Sequence, residues 1–473
     1  MRNVAARRHR LRISAVLLPA LLASVIVPLG SAQGSEDPEQ EVVTTEGPVG
    51  SKLPDLTALR KPGALDRLRA RAIGDEASAG LLPRETVGPA REALPRAGAD
   101  SMTALEDAAS AGRRSGMSAA VSLPEPAHTM TPQQCTSGLA GKDFYIRSRF
   151  AVCSGKTFKQ VWLRSGRPVG ASSFTVLAIG TIPKHSRTMT VMYRFQGFTA
   201  TGVNNASAMG ISTKAKIAKS WPTRVRYKHG GVGTAMPVNR KWAQLLNGGN
   251  FKHTVYAAAG QGQTGTDDSI YAVYQPSLKM SAPPGWVLDT PGDRNLFMLP
   301  PRWDKAAYLP NRAKGAANFS VSTALVYSTK DGAPEKDVAK HIKLAYTHPG
   351  RTQPPFHGKR LAGNKADEPL TRLYKDATRR KENRNTSIYN CKKYFGEGYT
   401  EGGRKECDEF PFATTYQGAA EWRHNQQADR YNFSVKALPK KANGAAGTLL
   451  RDYYDKNRLI DGPDDGFLMK ITS

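Results

Sequence analysis

The sequence predicts a multidomain protein with a disordered leader, a β-rich, sandwich-like middle domain and a small α+β C-terminal domain. Three observations carry this prediction. The length of 473 residues allows two or three domains. Short β-branched and aromatic runs recur between turn residues from about 130 to 350. A compact unit of about a hundred residues, 366–473, follows a loop-rich, basic connection at 348–366.

The N-terminus has the features of an export signal. An apolar segment spans 13–29, and the small residues that follow it place cleavage after Ala32. The preceding positive charges are Arg2, Arg7, Arg8, Arg10 and Arg12. We therefore predict a signal peptide at 1–32, a secreted, extracellular protein, and no stable membrane insertion after signal removal. A retained anchor is the alternative, but the segment is short and is interrupted by Pro19 and Pro28.

Residues 33–120 are predicted to be a disordered leader, spacer or pro-segment. They are rich in Ala, Arg, Glu, Pro and Gly and contain no aromatic residue. Pieces such as 53–59 have helical spacing, but prolines and glycines interrupt them. The charges alternate in sign, which favours a solvated linker over a nucleic-acid-binding arm.

The middle domain, 130–350, is predicted to be an antiparallel β-sandwich or a barrel-like domain. Several of its apolar runs alternate with period two, as half-buried strands do. The predicted strands are 144–152, 174–179, 189–195, 254–256 and 319–327. The region has no Gly-x-Ser-x-Gly motif and no phosphate-binding loop. The histidines between 185 and 348 have no metal-ligand spacing, so structural or surface roles are predicted for them; they are His185, His229, His253, His341 and His348.

Four cysteines form two close pairs in the sequence. Three connectivities are possible, and the economical one joins Cys135 to Cys153 and Cys391 to Cys407. Such bonds form in an oxidising compartment, in agreement with export. A zinc site is not favoured, because neither pair has C-x-x-C spacing or a suitably spaced histidine.

The formal net charge is +28, from 68 Lys and Arg against 40 Asp and Glu. A charge of this size favours a polyanionic partner, such as nucleic acid, anionic cell-wall polymer or anionic membrane. The alternative is a solvated basic surface of an exported protein.

In the C-terminal unit, the pattern predicts a basic helix over 370–385, a strand over 431–438, a short helix over 448–456 and a closing strand over 467–471. The central motif is Cys407-Asp408-Glu409-Phe410-Pro411-Phe412-Ala413. It is followed by the sequences TYQGAA at 415–420, NGAAG at 443–447 and RLIDG at 458–462.

These motifs, in this order and spacing, resemble the NucA/NucB deoxyribonuclease family over about the last 105 residues. More weakly, Phe144 to Cys153 is similar to the β-rich domain that precedes the nuclease in longer members. The resemblance implies an exported, metal-dependent endonuclease that acts on DNA with little sequence preference. It implies Asp408 as a metal-binding acid and Asn443 as a second ligand, with Glu409 as the adjacent acid of the motif.

The chemistry of phosphodiester hydrolysis agrees with this implication. A divalent metal neutralises charge on a phosphoryl oxygen and activates water, and Mg²⁺ or Mn²⁺ prefers oxygen ligands. A nearby acid or histidine could accept a proton from the water, and the candidates are Glu409, Glu421 and His424. Basic side chains would hold the phosphates without reading bases. The predicted DNA contacts are Arg372, Arg379, Arg380 and Lys441.

Two departures from the family pattern support an alternative function. Gln417 stands where many members carry Glu, and Lys441-Ala442 stands where they carry Ser-Asp. The alternative is a catalytically weak or inactive protein that binds extracellular DNA or another polyanion, with the β-rich domain as a possible contact to cell-wall polymer. A third interpretation is a nuclease toxin delivered to competing cells.

Overall fold

The structure is a computed structural model of the chain, and it describes residues 39–77, 81–93, 122–231, 238–246, 249–262, 267–289 and 292–473. The predicted signal peptide lies outside the described residues. So do 33–38, 78–80 and 94–120 of the predicted leader.

Two curled sheets form the β-rich part of the molecule. The first has the strand order β11-β1-β3-β4-β5-β9-β7, with β2 paired to β3, and the second has the order β14-β13-β10-β6-β8, with β12 paired to β10. The strands are β1 (Gln40–Gly47), β2 (Phe144–Ser148), β3 (Ala151–Arg164), β4 (Arg167–Thr181), β5 (Thr188–Gly202), β6 (Gly210–Trp221), β7 (Tyr227–Gly231), β8 (Val238–Lys241), β9 (Asn250–Ala257), β10 (Asp268–Ser281), β11 (Val287–Leu288), β12 (Asp293–Asn295), β13 (Pro301–Lys305) and β14 (Ala316–Phe319). The helices of this part are α1 (Leu56–Leu59), α2 (Ala64–Ala77), α3 (Ala90–Ala93), α4 (Pro132–Leu139) and α5 (Trp242–Leu245), with a 3-10 helix at Ala206–Ala208.

The largest apolar core draws its residues from both sheets, and we call the two sheets with this core the sandwich. Along β5 every second residue from Met189 to Phe195 is buried, which is the period-two pattern that predicted this strand. These side chains pack with fully buried residues of other strands, among them Trp162, Phe174 and Trp303. The prediction of a β-rich middle part is confirmed.

The described part of the leader is ordered, so the prediction of a disordered leader is wrong for 39–77 and 81–93. Strand β1 pairs antiparallel with β3 along its whole length. Val42 enters the main core, whereas Val43 packs with Ala72 of α2 on the opposite side. The buried Glu41 is paired with Arg69 of α2 at 2.6 Å. The Val-Val-Thr-Thr run at 42–45 is β-branched and forms a strand covered on both faces.

A second, smaller core belongs to the C-terminal part. Strand β15 (Ala324–Ser328) pairs in parallel with β18 (Leu468–Thr472). The other elements here are the helices α6 (Lys336–Thr347), α7 (Ala377–Phe395) and α8 (Lys440–Lys456), the strands β16 (Lys405–Phe410) and β17 (Ser434–Pro439), and 3-10 helices at Pro349–Arg351 and Glu421–Arg423. Strand β15 and helix α6 supply Leu325 and Ile342 to this core. Residues 324–347 thus pack with the C-terminal part, although the sequence places them in the β-rich domain.

The basic helix begins later and ends later than predicted. Asp376 caps its N-terminus by accepting a hydrogen bond from the backbone of Arg379, and Gly396 ends it. The preceding residues are extended, with bridges from Leu370 to Phe467 and from Arg372 to Thr415. The predicted strands at 431–438 and 467–471 are present as β17 and β18, and the helix predicted at 448–456 is part of α8, which begins eight residues earlier, at Lys440.

Five fully or almost fully buried charged residues join the two parts. Arg149 of the sandwich lies 2.6 Å from Asp465, and Arg302 of β13 pairs with the other oxygen of the same carboxylate. Arg302 also lies 3.2 Å from Asp304, which pairs with Arg458. We call these five residues the buried ion cluster. Each acid contacts two guanidinium groups, so the cluster connects the C-terminal part to the sandwich through buried ion pairs.

Both predicted disulfides are present, Cys135–Cys153 and Cys391–Cys407. The economical pairing is therefore confirmed, and it is compatible with a secreted protein. Among the described residues, none of the helices combines the length and the apolar character needed to cross a membrane.

Candidate functional site

The β16–β17 hairpin carries the central motif between helices on both of its faces. Helix α7 covers one face, and α6 and α8 cover the other. Successive side chains of a strand point to opposite faces. Cys407 is bonded to Cys391 of α7, whereas Asp408 contacts His341 of α6. The adjacent acids Asp408 and Glu409 therefore lie on opposite sides of the hairpin.

Asp408 is held by a chain of buried hydrogen bonds. Its Oδ2 lies 2.5 Å from Nδ1 of His341, and Nε2 of His341 lies 2.6 Å from Oγ of Ser434. A carboxylate only accepts hydrogen bonds, so Nδ1–H donates to Asp408, and in the neutral imidazole Nε2 then accepts from the serine hydroxyl. Ser434 is 0% exposed and His341 is 1% exposed. A hydroxyl that is buried in this way cannot reach a substrate, so this Asp-His-Ser chain orients Asp408 and is not a nucleophilic triad.

Asn443 lies on the same side of the hairpin as Asp408. It projects from the first turn of α8, and its Nδ2 donates to Oε2 of Glu406 at 3.0 Å. Glu406 precedes Asp408 by two residues, so their side chains share a face of β16. Lys440 lies 3.8 Å from the other carboxylate oxygen of Glu406. This face, which we call the acidic face, carries Glu406, Asp408 and Asn443.

The acidic face has the donor types that a hard divalent cation prefers. Because Asn443 directs its NH₂ group to Glu406, its amide oxygen is available as a ligand. One or two carboxylates and an amide oxygen suit Mg²⁺ or Mn²⁺, which retains several water molecules at such sites. Within the described residues, no group of three or more His, Cys, Asp or Glu is arranged to hold a metal. The donor types alone are compatible with a cation held by few protein ligands, and metal binding by Asp408 and Asn443 stays a prediction.

Glu409 occupies the other face and forms an ion pair with Arg384 of α7. Burial raises the pKa of the Glu409 carboxyl to about 7, and the nearby Asp408 charge adds to the rise while Arg384 opposes it. A carboxyl group with a pKa near neutrality can exchange protons at physiological pH. Its catalytic role stays a prediction, because Glu409 points away from the acidic face.

Glu421 and His424 lie beside α7 rather than on the acidic face. Nε2 of His424 is 2.6 Å from a carboxylate oxygen of Glu382 on α7. Burial raises the pKa of Glu421, which lies in the 3-10 helix just before His424. In the part of the chain that the structure describes, neither residue contacts Asp408 or Asn443.

The four predicted DNA contacts differ in their surroundings. Arg372 is buried, donates to the carbonyl of Leu459, and packs against tyrosine rings, with 4.7 Å from its guanidinium carbon to the Tyr454 centroid. Arg379 is half-buried and donates to the carbonyl of Tyr416, and Arg380, also half-buried, stacks on Tyr374. Lys441 is exposed in the first turn of α8. Lys441 is thus the best placed of the four for a phosphate.

Gln417 has a structural contact of its own. Its Oε1 accepts from the backbone N–H of Thr371 at 3.0 Å, and its Nε2 donates to the hydroxyl of the same residue. Within the described residues, Gln417 does not contact the acidic face. Either a Gln or a Glu can accept this backbone hydrogen bond, so Gln417 by itself does not remove a group from the acidic face.

Sequence reasoning missed three residues around Asp408. His341 lies 67 positions before Asp408 and Ser434 follows it by 26, so local spacing does not connect them. Glu406 could have been found from the strand period, which puts positions 406 and 408 on one face once the motif is recognised as a strand.

The comparisons with known proteins identify the C-terminal part. Residues 361–467 match the family model described as Deoxyribonuclease NucA/NucB. The resemblance seen in the motifs is thereby confirmed over these residues, and it supports a nuclease role with DNA as the substrate. No curated protein and no solved structure matches the chain.

Proposed function

We propose that the protein is a secreted, metal-dependent endodeoxyribonuclease that hydrolyses DNA phosphodiester bonds without sequence preference. The observation that carries the proposal is the family match over a hairpin and helix in which Asp408 and Glu406 share one strand face and Asn443 is hydrogen-bonded to Glu406. The net charge of +28 favours a polyanionic substrate.

The metal would be held by Asp408 and the amide oxygen of Asn443. When bound, it would stabilise negative charge on a phosphoryl oxygen and lower the pKa of a bound water. The protein's own contribution is orientation: His341 holds the Asp408 carboxylate in one position, and Glu406 holds the Asn443 amide.

The N-terminus of α8 is suited to the phosphate. Pro439 precedes the helix and provides no side-chain cap, and Lys440 and Lys441 are exposed in the first turn. The positive end of the helix dipole and two ammonium groups favour an anion beside Asn443. Contacts of this kind do not read bases, in keeping with cleavage without sequence preference.

The test is plasmid cleavage by the full chain with Mg²⁺ or Mn²⁺, and with EDTA. We expect cleavage that EDTA abolishes, and loss of cleavage in Asp408→Ala with salt-sensitive DNA binding retained. Asp429→Ala, which removes an exposed acid from the loop before β17, is the matched control and should cleave normally. Cleavage by Asp408→Ala would overturn the assignment of Asp408. Binding without cleavage at every metal tested would favour the polyanion-binding alternative.

A further inference from the structure

A cleft separate from the acidic face lies between α7 and the segment 422–433. Its volume is 390 Å³. The residues that matter here are Glu382, Tyr389, Lys393, Trp422, Arg430 and Tyr431, all of which line the cleft. Its floor is the buried Phe433.

Planar groups form the walls of this cleft. The guanidinium of Arg430 lies 5.1 Å from the ring centroid of Trp422 and 5.8 Å from that of Tyr431. Tyr389 is 65% exposed and Tyr431 is 38% exposed. Exposed tyrosines beside a guanidinium that stacks on a ring are a surface on which another flat, aromatic group can stack.

The charge of the cleft is positive. Lys393, Arg423 and Arg430 line it, and they face a single carboxylate, that of Glu382. Glu382 already pairs with His424 at 2.6 Å. The cleft therefore favours a ligand that is both aromatic and anionic. A nucleotide has this combination, and sequence-tolerant single-strand binding sites use aromatic platforms together with basic groups.

The size of the cleft favours single-stranded over double-stranded nucleic acid. A base inside a duplex is stacked on both of its faces and paired along its Watson–Crick edge, so only an unpaired base can enter a pocket of this volume. Phe433 in the floor directly precedes Ser434, which belongs to the hydrogen-bonded chain that holds Asp408. The cleft and the acidic face are thus on opposite faces of one strand, β17 and its approach.

We propose that this cleft is a subsite for an unpaired nucleobase of a DNA strand, with Tyr389 and Tyr431 as stacking partners and Arg430 as the phosphate contact. The inference rests on the proposed function for the choice of DNA as the polymer. It predicts that single-stranded DNA gains affinity from the cleft and that a blunt duplex does not.

The test measures binding of a fluorescent decathymidylate and of a blunt 20-base-pair duplex to the full chain in EDTA, so that cleavage does not interfere. The double variant Tyr389→Ala/Tyr431→Ala should lose about 5- to 100-fold in affinity for the single strand, the range expected for base–aromatic stacking. Its affinity for the duplex should stay within twofold. Tyr389→Phe/Tyr431→Phe keeps the rings and should bind the single strand like the unaltered protein.

Phe395→Ala is the matched control, since Phe395 is 39% exposed at the end of the same helix but does not line the cleft. The proposal is overturned if single-strand affinity is unchanged in the double alanine variant, if the duplex loses as much, or if the control loses as much. The melting temperature of each variant is measured to check that a loss of affinity is not caused by unfolding. If the double alanine variant loses single-strand affinity but the unaltered protein cleaves no DNA, the proposed nuclease function is wrong and the cleft proposal stands. If the unaltered protein cleaves DNA but the double alanine variant binds the single strand normally, the cleft proposal is wrong and the nuclease function stands.

Discussion

The sandwich places its main apolar core between two sheets, whereas the C-terminal part spreads a smaller core over a hairpin, a pair of parallel strands and three helices. Each part buries one histidine completely or almost completely. His253 in the sandwich contacts the hydroxyl of Tyr274 at 2.7 Å and His229 at 3.1 Å. His341 in the C-terminal part contacts Asp408.

The difference lies in the partners of the two histidines. Burial lowers the pKa of His253 to about 4, with the neighbouring His229 adding to the effect, and none of the described carboxylates contacts the ring to oppose it. His341 instead has a carboxylate as its direct partner. The buried His253 therefore has a packing role, whereas the buried His341 has an orienting role. The two histidines differ in their hydrogen-bond partners and not in their burial.

The buried ion cluster should be the most sensitive point of the molecule. Burial alone would raise the pKa of Asp465, but Arg149 and Arg302 lower it. The carboxylate is therefore charged and compensates the charge of the two buried guanidinium groups. Asp465→Ala leaves two buried guanidinium groups without this partner and should lower the free energy of unfolding by about 3–5 kcal/mol. Urea unfolding measures the change. Asp293→Ala, which breaks an exposed pair with Lys214, should cost less than about 1 kcal/mol; an equal loss in both variants would contradict the role of the cluster.

Removing each disulfide should affect a different part of the molecule. Their loops are similar in length, with sequence separations of 16 and 18, so loop closure predicts about 3 kcal/mol for either. Cys391→Ser/Cys407→Ser should lower the temperature at which cleavage is lost, because this bond ties the hairpin to α7. Cys135→Ser/Cys153→Ser should act mainly on sandwich unfolding, followed by near-ultraviolet circular dichroism. Identical curves for both variants would mean that the two parts unfold as one unit.

His341 should matter for cleavage more than for binding. His341→Leu removes the donor that orients Asp408 and should lower kcat by about 10- to 100-fold, as for other outer-shell partners, with KM for DNA little changed. His341→Asn can donate again and should recover part of the loss. Steady-state kinetics on a labelled oligonucleotide measure both constants. An unchanged kcat in His341→Leu, or a change confined to KM, would remove the orienting role.

The sandwich histidine should have an effect that is visible only as a dependence on pH. The unfolded chain binds a proton at His253 below its ordinary pKa of 6.5, whereas the folded chain resists protonation until about pH 4. The free energy of unfolding should therefore fall as pH decreases from 6.5 to 4, and the contribution is fully present above pH 6.5. His253→Gln should flatten this slope relative to the exposed control His348→Gln. A slope that is the same in both variants would refute the assignment.

The sequence predicted the features that are determined by residues close to one another in the chain. The alternation from Met189 to Phe195 marks a strand because one of its faces is buried, and the closeness of Cys391 and Cys407 marks their bond. The order of motifs around Asp408 identified the family of the C-terminal part.

What sequence reasoning missed depends on contacts between distant segments. The contact of His341 with Asp408 arises because α6 packs on the hairpin, and no pattern near residue 341 reports it. Strand β1 was hidden by its surroundings, since charged and proline-rich residues around 42–45 resemble a linker until β3 is present to pair with it. Arg372 looked like a surface cation on a helix, but it is extended and enclosed by tyrosines.

The parallel pairing of β15 with β18 affects the order in which the molecule is completed. The hairpin and the helices α7 and α8 lie between these two strands in the sequence, so the pair can close only after everything between them has been synthesised. Non-local parallel pairs form slowly because a long loop must be closed first. We therefore expect amides of β15 to gain protection from hydrogen exchange later during refolding than those of β4 and β5, and simultaneous protection would contradict this order. The acidic face would then be assembled late, which would delay the proposed cleavage activity in a newly made chain.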